Sequence, residues 1–294
     1  MTRAAALALL AVVVGACSGA AVEGGGRAGH AVALAVTPDG TIWTIDGASA
    51  SVVALRAGAV VQRLGGLGTG TDALLDPVDL DPTNGQTIFV ADRAAGAVLQ
   101  FTAEGRLAVT LAVPDVDPAQ PVRQRVRSGP RGQPVAVAAA PDGGLYVVDA
   151  GRRHVLRLDA EGSVERVLGA SGPGALAEPV DVAVADDGTV WIADAGRGVL
   201  QAFDPFGAPG RTVAAGPEIG RVVGVSVWGR TVALAARRGV TVADGDAIQT
   251  QIRALDLPDV RAVALVGRSR WWTLSASGIG AGGIDAKTGG AERD

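Results

Sequence analysis

With 294 residues, 48% of them hydrophobic, 43 glycines and 15 prolines, the chain is long enough for one large β domain or two ordinary ones. Its 26 Lys and Arg stand against 30 Asp and Glu, a formal net charge of −4, and no basic block runs along it. This argues against a nucleic-acid backbone as partner. The single cysteine rules out an internal disulfide framework.

Residues 1–16, MTRAAALALLAVVVGA, join one basic residue, Arg3, to an apolar run from Ala4 to Val14. That run is too short to cross a hydrocarbon layer of ~30 Å, and the pattern is that of a secretory signal. It ends in Val14-Gly15-Ala16-Cys17, which resembles the bacterial lipobox, where cleavage precedes a cysteine that carries the lipid. The resemblance implies an exported protein, a lipoprotein anchored to the cell envelope through Cys17 and touching the membrane through that anchor only. Residues 17–29 are small and Gly-rich and read as a flexible tether, leaving residues 30–294 as the folded part.

From residue 31 onward a unit of four short β-prone runs recurs. Its clearest copy is PVAVAAAPDGGLYVVDAGRRHVLRLDAEGSVERVLGA, residues 134–170. Asp142-Gly143 between two β-rich runs is a hairpin turn, because Gly supplies positive φ without a Cβ clash. The corresponding turn glycines are Gly40, Gly85, Gly143, Gly188, Gly229 and Gly267. Their spacing, near 40–45 residues with one longer step before Gly143, predicts six blades of four antiparallel strands, an all-β six-bladed β-propeller. The sixth unit runs out after its third strand near residues 282–286, so ring closure is expected from residues near Ala20–Glu23. Two insertions, 65–76 and 113–133, follow the outer strands of units one and two. They are expected on one face of the ring, the face predicted to bind a partner.

Units three and four resemble NHL repeats. The matching residues are Val135-Ala136-Val137, Asp142-Gly143, Tyr146-Val147-Val148-Asp149 and Gly151, and then Val182-Ala183-Val184, Asp187-Gly188, Trp191-Ile192-Ala193-Asp194 and Gly196. The Asn and Arg of the family's third-strand turn are Arg152 and His154 in unit three and are missing elsewhere. The resemblance implies a ring that presents loops to a protein, peptide or glycan partner.

Candidate contacts follow from these placements. Arg123, Arg125, Arg127 and Arg131 are spread along the second insertion, as a binding patch or as a solvated loop paired with nearby Asp. Trp271 and Trp272 are neighbours on one strand, so they face opposite sides: one belongs in the core and the other is a candidate contact. Asp79 and Asp181 occupy equivalent starts of inner strands. They either hold a hard cation such as Ca²⁺ in the channel or cap backbone amides. Asp46, Asp92, Asp149 and Asp194 end second strands, where a carboxylate accepts turn amides. Trp43, Phe89, Tyr146 and Trp191 share one second-strand position and are expected between blades. An alternative function is that of a metal-dependent hydrolase or lyase with an ion in the channel. Enzymatic propellers of the lactonase type use two Asn and acidic residues, and those of the amidating- and streptogramin-lyase types use channel His. This chain has one Asn, Asn84, in a hairpin turn, and two His, His30 and His154. The sequence therefore favours a binding or scaffold module without an assigned catalytic residue.

Overall fold

A computed structural model describes residues 30–83, 85–118, 131–216, 218–244, 247–253, 259–268 and 270–283. Cys17, Arg123, Arg125 and Arg127, and the segment expected to close the ring, lie outside the described residues.

The described chain forms 23 strands in six antiparallel sheets, each strand paired with its neighbour in sequence. Blade one holds β1 (Ala31–Val36), β2 (Ile42–Asp46), β3 (Ser51–Arg56) and β4 (Ala59–Gly65). Blade two holds β5 (Pro77–Asp81), β6 (Thr87–Asp92), β7 (Ala97–Thr102) and β8 (Leu107–Ala112). Blade three holds β9 (Pro134–Ala139), β10 (Leu145–Asp149), β11 (His154–Leu158) and β12 (Val164–Leu168). Blade four holds β13 (Pro179–Val184), β14 (Val190–Asp194), β15 (Val199–Phe203) and β16 (Pro209–Ala214). Blade five holds β17 (Val222–Trp228), β18 (Thr231–Ala236), β19 (Gly239–Asp244) and β20 (Ala247–Arg253). Blade six holds β21 (Ala262–Leu265), β22 (Arg270–Ser275) and β23 (Gly278–Gly283) among the described residues, and the segment expected to supply its fourth strand lies outside them.

The reason these segments form blades is visible along the second strands. β10 (LYVVD) and β14 (VWIAD) are buried at every position, because each sheet is covered on both faces by its neighbours. Alternate side chains then feed two different cores. In β2, Trp43 and Ile45 point into a core shared with blade two, while Ile42 points into one shared with blade six. Six such clusters exist, one at each blade–blade junction, including the junction of blade six with blade one. Trp43, Phe89, Tyr146 and Trp191 each pack toward the following blade, as their shared strand position implies. At about 25 cal/mol per Å² of apolar surface removed from water, these junctions are the main source of ring stability.

Two faces result. The inner strands all start on the face that carries the links between blades and the turns from second to third strand, here the link face. The turns from first to second and third to fourth strand lie on the opposite, hairpin face. The first-to-second turns use glycine where φ is positive, as at Gly143 (φ 91°) and Gly188 (φ 82°).

Candidate functional site

The six inner strands enclose a channel of about 530 Å³. An inner strand has no sheet partner on its channel side, so its edge amides need acceptors. Four side chains from preceding blades supply them. Asp79 Oδ2 accepts the Val137 N–H (2.9 Å) and Asp181 Oδ2 accepts the Val225 N–H (2.8 Å). Two residues further along, Asp81 Oδ2 accepts from Ala139 N (2.7 Å) and Ser226 Oγ from Leu265 N (2.9 Å). Blade six reaches blade one through Arg261 Nη1, which donates to the Ala31 carbonyl (3.2 Å).

The register explains this two-tier pattern. Asp79 lies opposite Ala91 and Asp181 opposite Ala193, so they are equivalent. Ser226 lies opposite Ala233, which matches Asp81 opposite Phe89 and not Asp181. The residue at Asp181's level in blade five is Gly224, opposite Ala235, where a Cβ would sit 3.1 Å from Asp181 Oδ2. A sequence alignment by strand starts places Ser226 with Asp79; the pairing puts Val222, not Gly224, level with Pro77 and Pro179, since these three lie opposite Ala236, Asp92 and Asp194.

Asp79 and Asp181 both accept backbone amides from the next blade, and Asp181 does so locally as well. Asp181 Oδ1 also accepts its neighbour Val182 N–H (2.8 Å). Among the described residues no group of three or more His, Cys, Asp or Glu is arranged to hold a metal.

The channel walls half-bury these acids. Burial pushes the Asp181 carboxyl up to about 7. Burial, and then the charge of Asp181, holds Asp79 well above the usual carboxylate range, and burial also raises Asp81.

On the link face, the second-strand aspartates hold turn and link together. Asp194 is fully buried and accepts Ala177 N and Glu178 N from the preceding link and Gly196 N and Arg197 N from the turn, at 2.9–3.2 Å. Asp92 does the same with Leu75, Asp76 and Ala95. The sequence signalled the turn bonds; the reach back to the link needs the fold. Arg131 of the second insertion is exposed and its Nη1 donates to the Ala95 carbonyl (3.3 Å). Leu67 (70% exposed) and Leu75 (60%) project from the first link.

Blade three departs from this scheme. Its link residue at the position of Leu75 and Ala177 is Gly132, whose N–H donates to the Val113 carbonyl instead (2.9 Å). Asp149 Oδ2 is left without a hydrogen bond and faces His154 Nε2 at 3.8 Å. Both ring nitrogens of the fully buried His154 also lack a partner. Burial lowers the His154 pKa, against the opposing charge of Asp149. Blade four has Val199 at this position. We expect His154→Val to stabilise the protein by about 1–2 kcal/mol, and more at about pH 5 than at pH 8, because the unfolded chain takes up a proton near pH 6.5 that the folded chain refuses. Thermal melts at the two pH values check this, and a lower Tm for the variant at both would refute it.

On the hairpin face stand Phe206 (81% exposed) and Trp228 (40%). Phe206 rims a cavity of about 270 Å³ between blades three and four, with Tyr146, Arg157, Glu165 and Arg166. Arg157 lies over the Tyr146 ring at 4.9 Å and pairs with Asp142. Trp228 lines the channel mouth. Trp271 is buried (5%) in the junction of blades five and six, and Trp272 is half-buried against the junction of blades six and one.

No family model matches the chain, and no curated protein matches it. Among solved structures it is similar to a streptogramin B lyase, with a TM-score of 0.63, 11% identity, and 90% of this chain and 86% of that chain covered. It is also similar to a catalytically inactive variant of virginiamycin B lyase from Staphylococcus aureus, solved with quinupristin (TM-score 0.60, 12% identity, 90% and 87% covered). A selenomethionine-substituted form of that enzyme is a third (TM-score 0.61, 12% identity, 89% and 86% covered). At such identities the likeness is one of fold, and the fold is that of a six-bladed β-propeller.

Proposed function

We propose that this chain is an exported, lipid-anchored binding module of the cell envelope, an NHL-like propeller that recruits a protein, peptide or glycan partner to its hairpin face. The observation that carries the reading is the placement of the aromatics. Phe206 and Trp228 are the two exposed aromatic side chains among the described large hydrophobics, and both stand on the hairpin face, away from the insertions. Exposed aromatics of this kind anchor interfaces. The channel supports the same reading. Asp79, Asp81, Asp181, Ser226 and Arg261 each bond the backbone of the next blade, which gives each of them a part in holding the ring.

The test is site-specific photo-crosslinking in intact cells that produce the full chain. Probes at Pro205 and Arg230, beside the two aromatics, are expected to give one discrete adduct. Phe206→Ala with Trp228→Ala should abolish it, and probes on outer strand β4 should give none. Adducts arising only from link-face positions would overturn this placement of the partner.

A further inference from the structure

The outer strand of each blade has no sheet partner on its outward side, so it leaves a row of backbone N–H and C=O groups open to another strand. Proteins guard such edges with charged side chains or proline. Among the described outer strands, β4 carries Arg63, β12 carries Glu165 and Arg166, β16 carries Pro209 and Arg211, and β20 carries Arg253. β8, LAVTLA, carries neither a charge nor a proline. Its residues Ala108, Val109 and Thr110 are exposed, Val109 at 38%.

The register shows which groups of β8 face outward. The Val113 N–H donates to the Gly96 carbonyl, and further along the ladder Val98 lies opposite Leu111 and Leu99 opposite Thr110. Opposed residues of an antiparallel ladder alternate between bonded and unbonded pairs. Leu111 therefore bonds inward to β7, while Thr110 and Ala112 turn their N–H and C=O groups outward.

We infer that β8 is a dimerisation edge, which pairs antiparallel with β8 of a second copy about a two-fold axis at Thr110. In that arrangement the edge is its own complement. Thr110 meets Thr110, each N–H facing the other's C=O, and Val109 meets Leu111 on either side. Threonine pairs and aliphatic pairs are both favourable across strands. A strand without charge offers no electrostatic pattern for choosing a foreign partner, and a copy of itself needs none. One strand pair buries less than the ~1,200–2,000 Å² of a standard interface, so the dimer is expected in reversible, micromolar equilibrium. The rim lies between the two faces of the ring, so the pairing leaves both hairpin faces open and does not rest on the partner placed there.

The experiment uses the chain Ser18–Asp294, which retains every described strand, since all lie between Ala31 and Gly283, and has no cysteine, since Cys17 is the only one. Sedimentation velocity from about 1 to 100 μM should show a monomer–dimer equilibrium. Val109→Lys should weaken it at least tenfold. Thr110→Pro removes an outward N–H and spares the bonds to β7, and should abolish it. Thr212 is the equivalent residue of β16, opposite Gln201 as Thr110 is opposite Leu99, and Thr212→Pro should leave the dimer intact. Thr110→Cys reads the register. A bonded pair on the two-fold axis has its Cα atoms about 5.5 Å apart, within disulfide reach. This variant should oxidise to a covalent dimer at least tenfold faster than Thr212→Cys. Unchanged melting temperatures establish that each variant folds. A monomer at every concentration up to about 100 μM overturns the inference and leaves the edge to a foreign strand. So does a dimer that survives both Val109→Lys and Thr110→Pro, or one in which the two cysteine variants oxidise alike.

Discussion

Replacing Asp194 by alanine is expected to lower the unfolding free energy by about 4 kcal/mol, among the largest single losses available in this fold. The carboxylate is fully buried and accepts four backbone N–H groups, two from the 169–178 link and two from the turn after β14. Each hydrogen bond to a charged group contributes ~1.5–3 kcal/mol, and the buried amides left behind bear a desolvation cost as well. The terms share one acceptor and do not add, which keeps the expected total near 4. Asp194→Asn keeps one acceptor oxygen but turns an NH₂ toward amide donors, so it should recover less than half of the loss. Asp46→Ala is the internal comparison. Asp46 is only half-buried and accepts Ala48 N and Ser49 Oγ, so its loss should be about 1 kcal/mol. Urea midpoints at constant slope measure all three. Equal losses at Asp46 and Asp194 would mean that the link bonds contribute nothing.

These aspartates mark where the sequence was legible and where it stopped being so. The Asp-Gly turns and the Asp that closes each second strand are local features, with both partners within a few residues. They gave blade count, blade boundaries and turn bonds directly. The same Asp194 also reaches Ala177 and Glu178, and nothing in the local pattern announces that. The aromatics behaved like the turns: one residue per unit at one strand position has to serve one junction per blade, and Trp43, Phe89, Tyr146 and Trp191 do.

The channel was harder to read. Asp79 and Asp181 are equivalent on sequence and in space, but their hydrogen-bond partners lie 58 and 44 residues away on the next blade. Ser226 aligns two positions off on sequence because blade five has Val222 where blades two to four have the proline that marks the inner strand's start, Pro77, Pro134 and Pro179. Asp81, with the same structural role, was not singled out at all. It reads as part of an ordinary Asp81-Pro82 turn, and only the neighbouring strand shows what its carboxylate does. Blade six illustrates the opposite limit. Its run of glycines in β23 gave a third strand and no fourth, and the described residues likewise end the sheet there.

The channel acids carry the second large prediction, an inverted pH dependence. Folding raises the pKa of Asp181 to about 7 and that of Asp79 in the same direction, whereas in the unfolded chain both ionise near pH 4. Between these limits the folded state binds more protons than the unfolded state, so stability must fall as pH rises from about 4 through about 7. A shift of that size in Asp181 corresponds to about 4 kcal/mol, and access of water to the channel brings the expected loss nearer 2 kcal/mol. His154 works the other way: its lowered pKa removes stability as pH falls below about 6.5. The two terms separate by mutation. Asp181→Asn can still accept the Val225 amide and removes the charge that raises Asp79, so the variant's stability relative to the parent should be higher at pH 8 than at about pH 5. His154→Val should remove only the loss on the acid side. Urea midpoints at intervals from about pH 4 to 8 read both effects. A parent protein that gains stability from pH 5 to 8, with Asp181→Asn following the same slope, would show that the channel carboxylates ionise freely. Their cross-blade bonds would then be those of ordinary charged acids rather than of protonated, uncharged carboxyls.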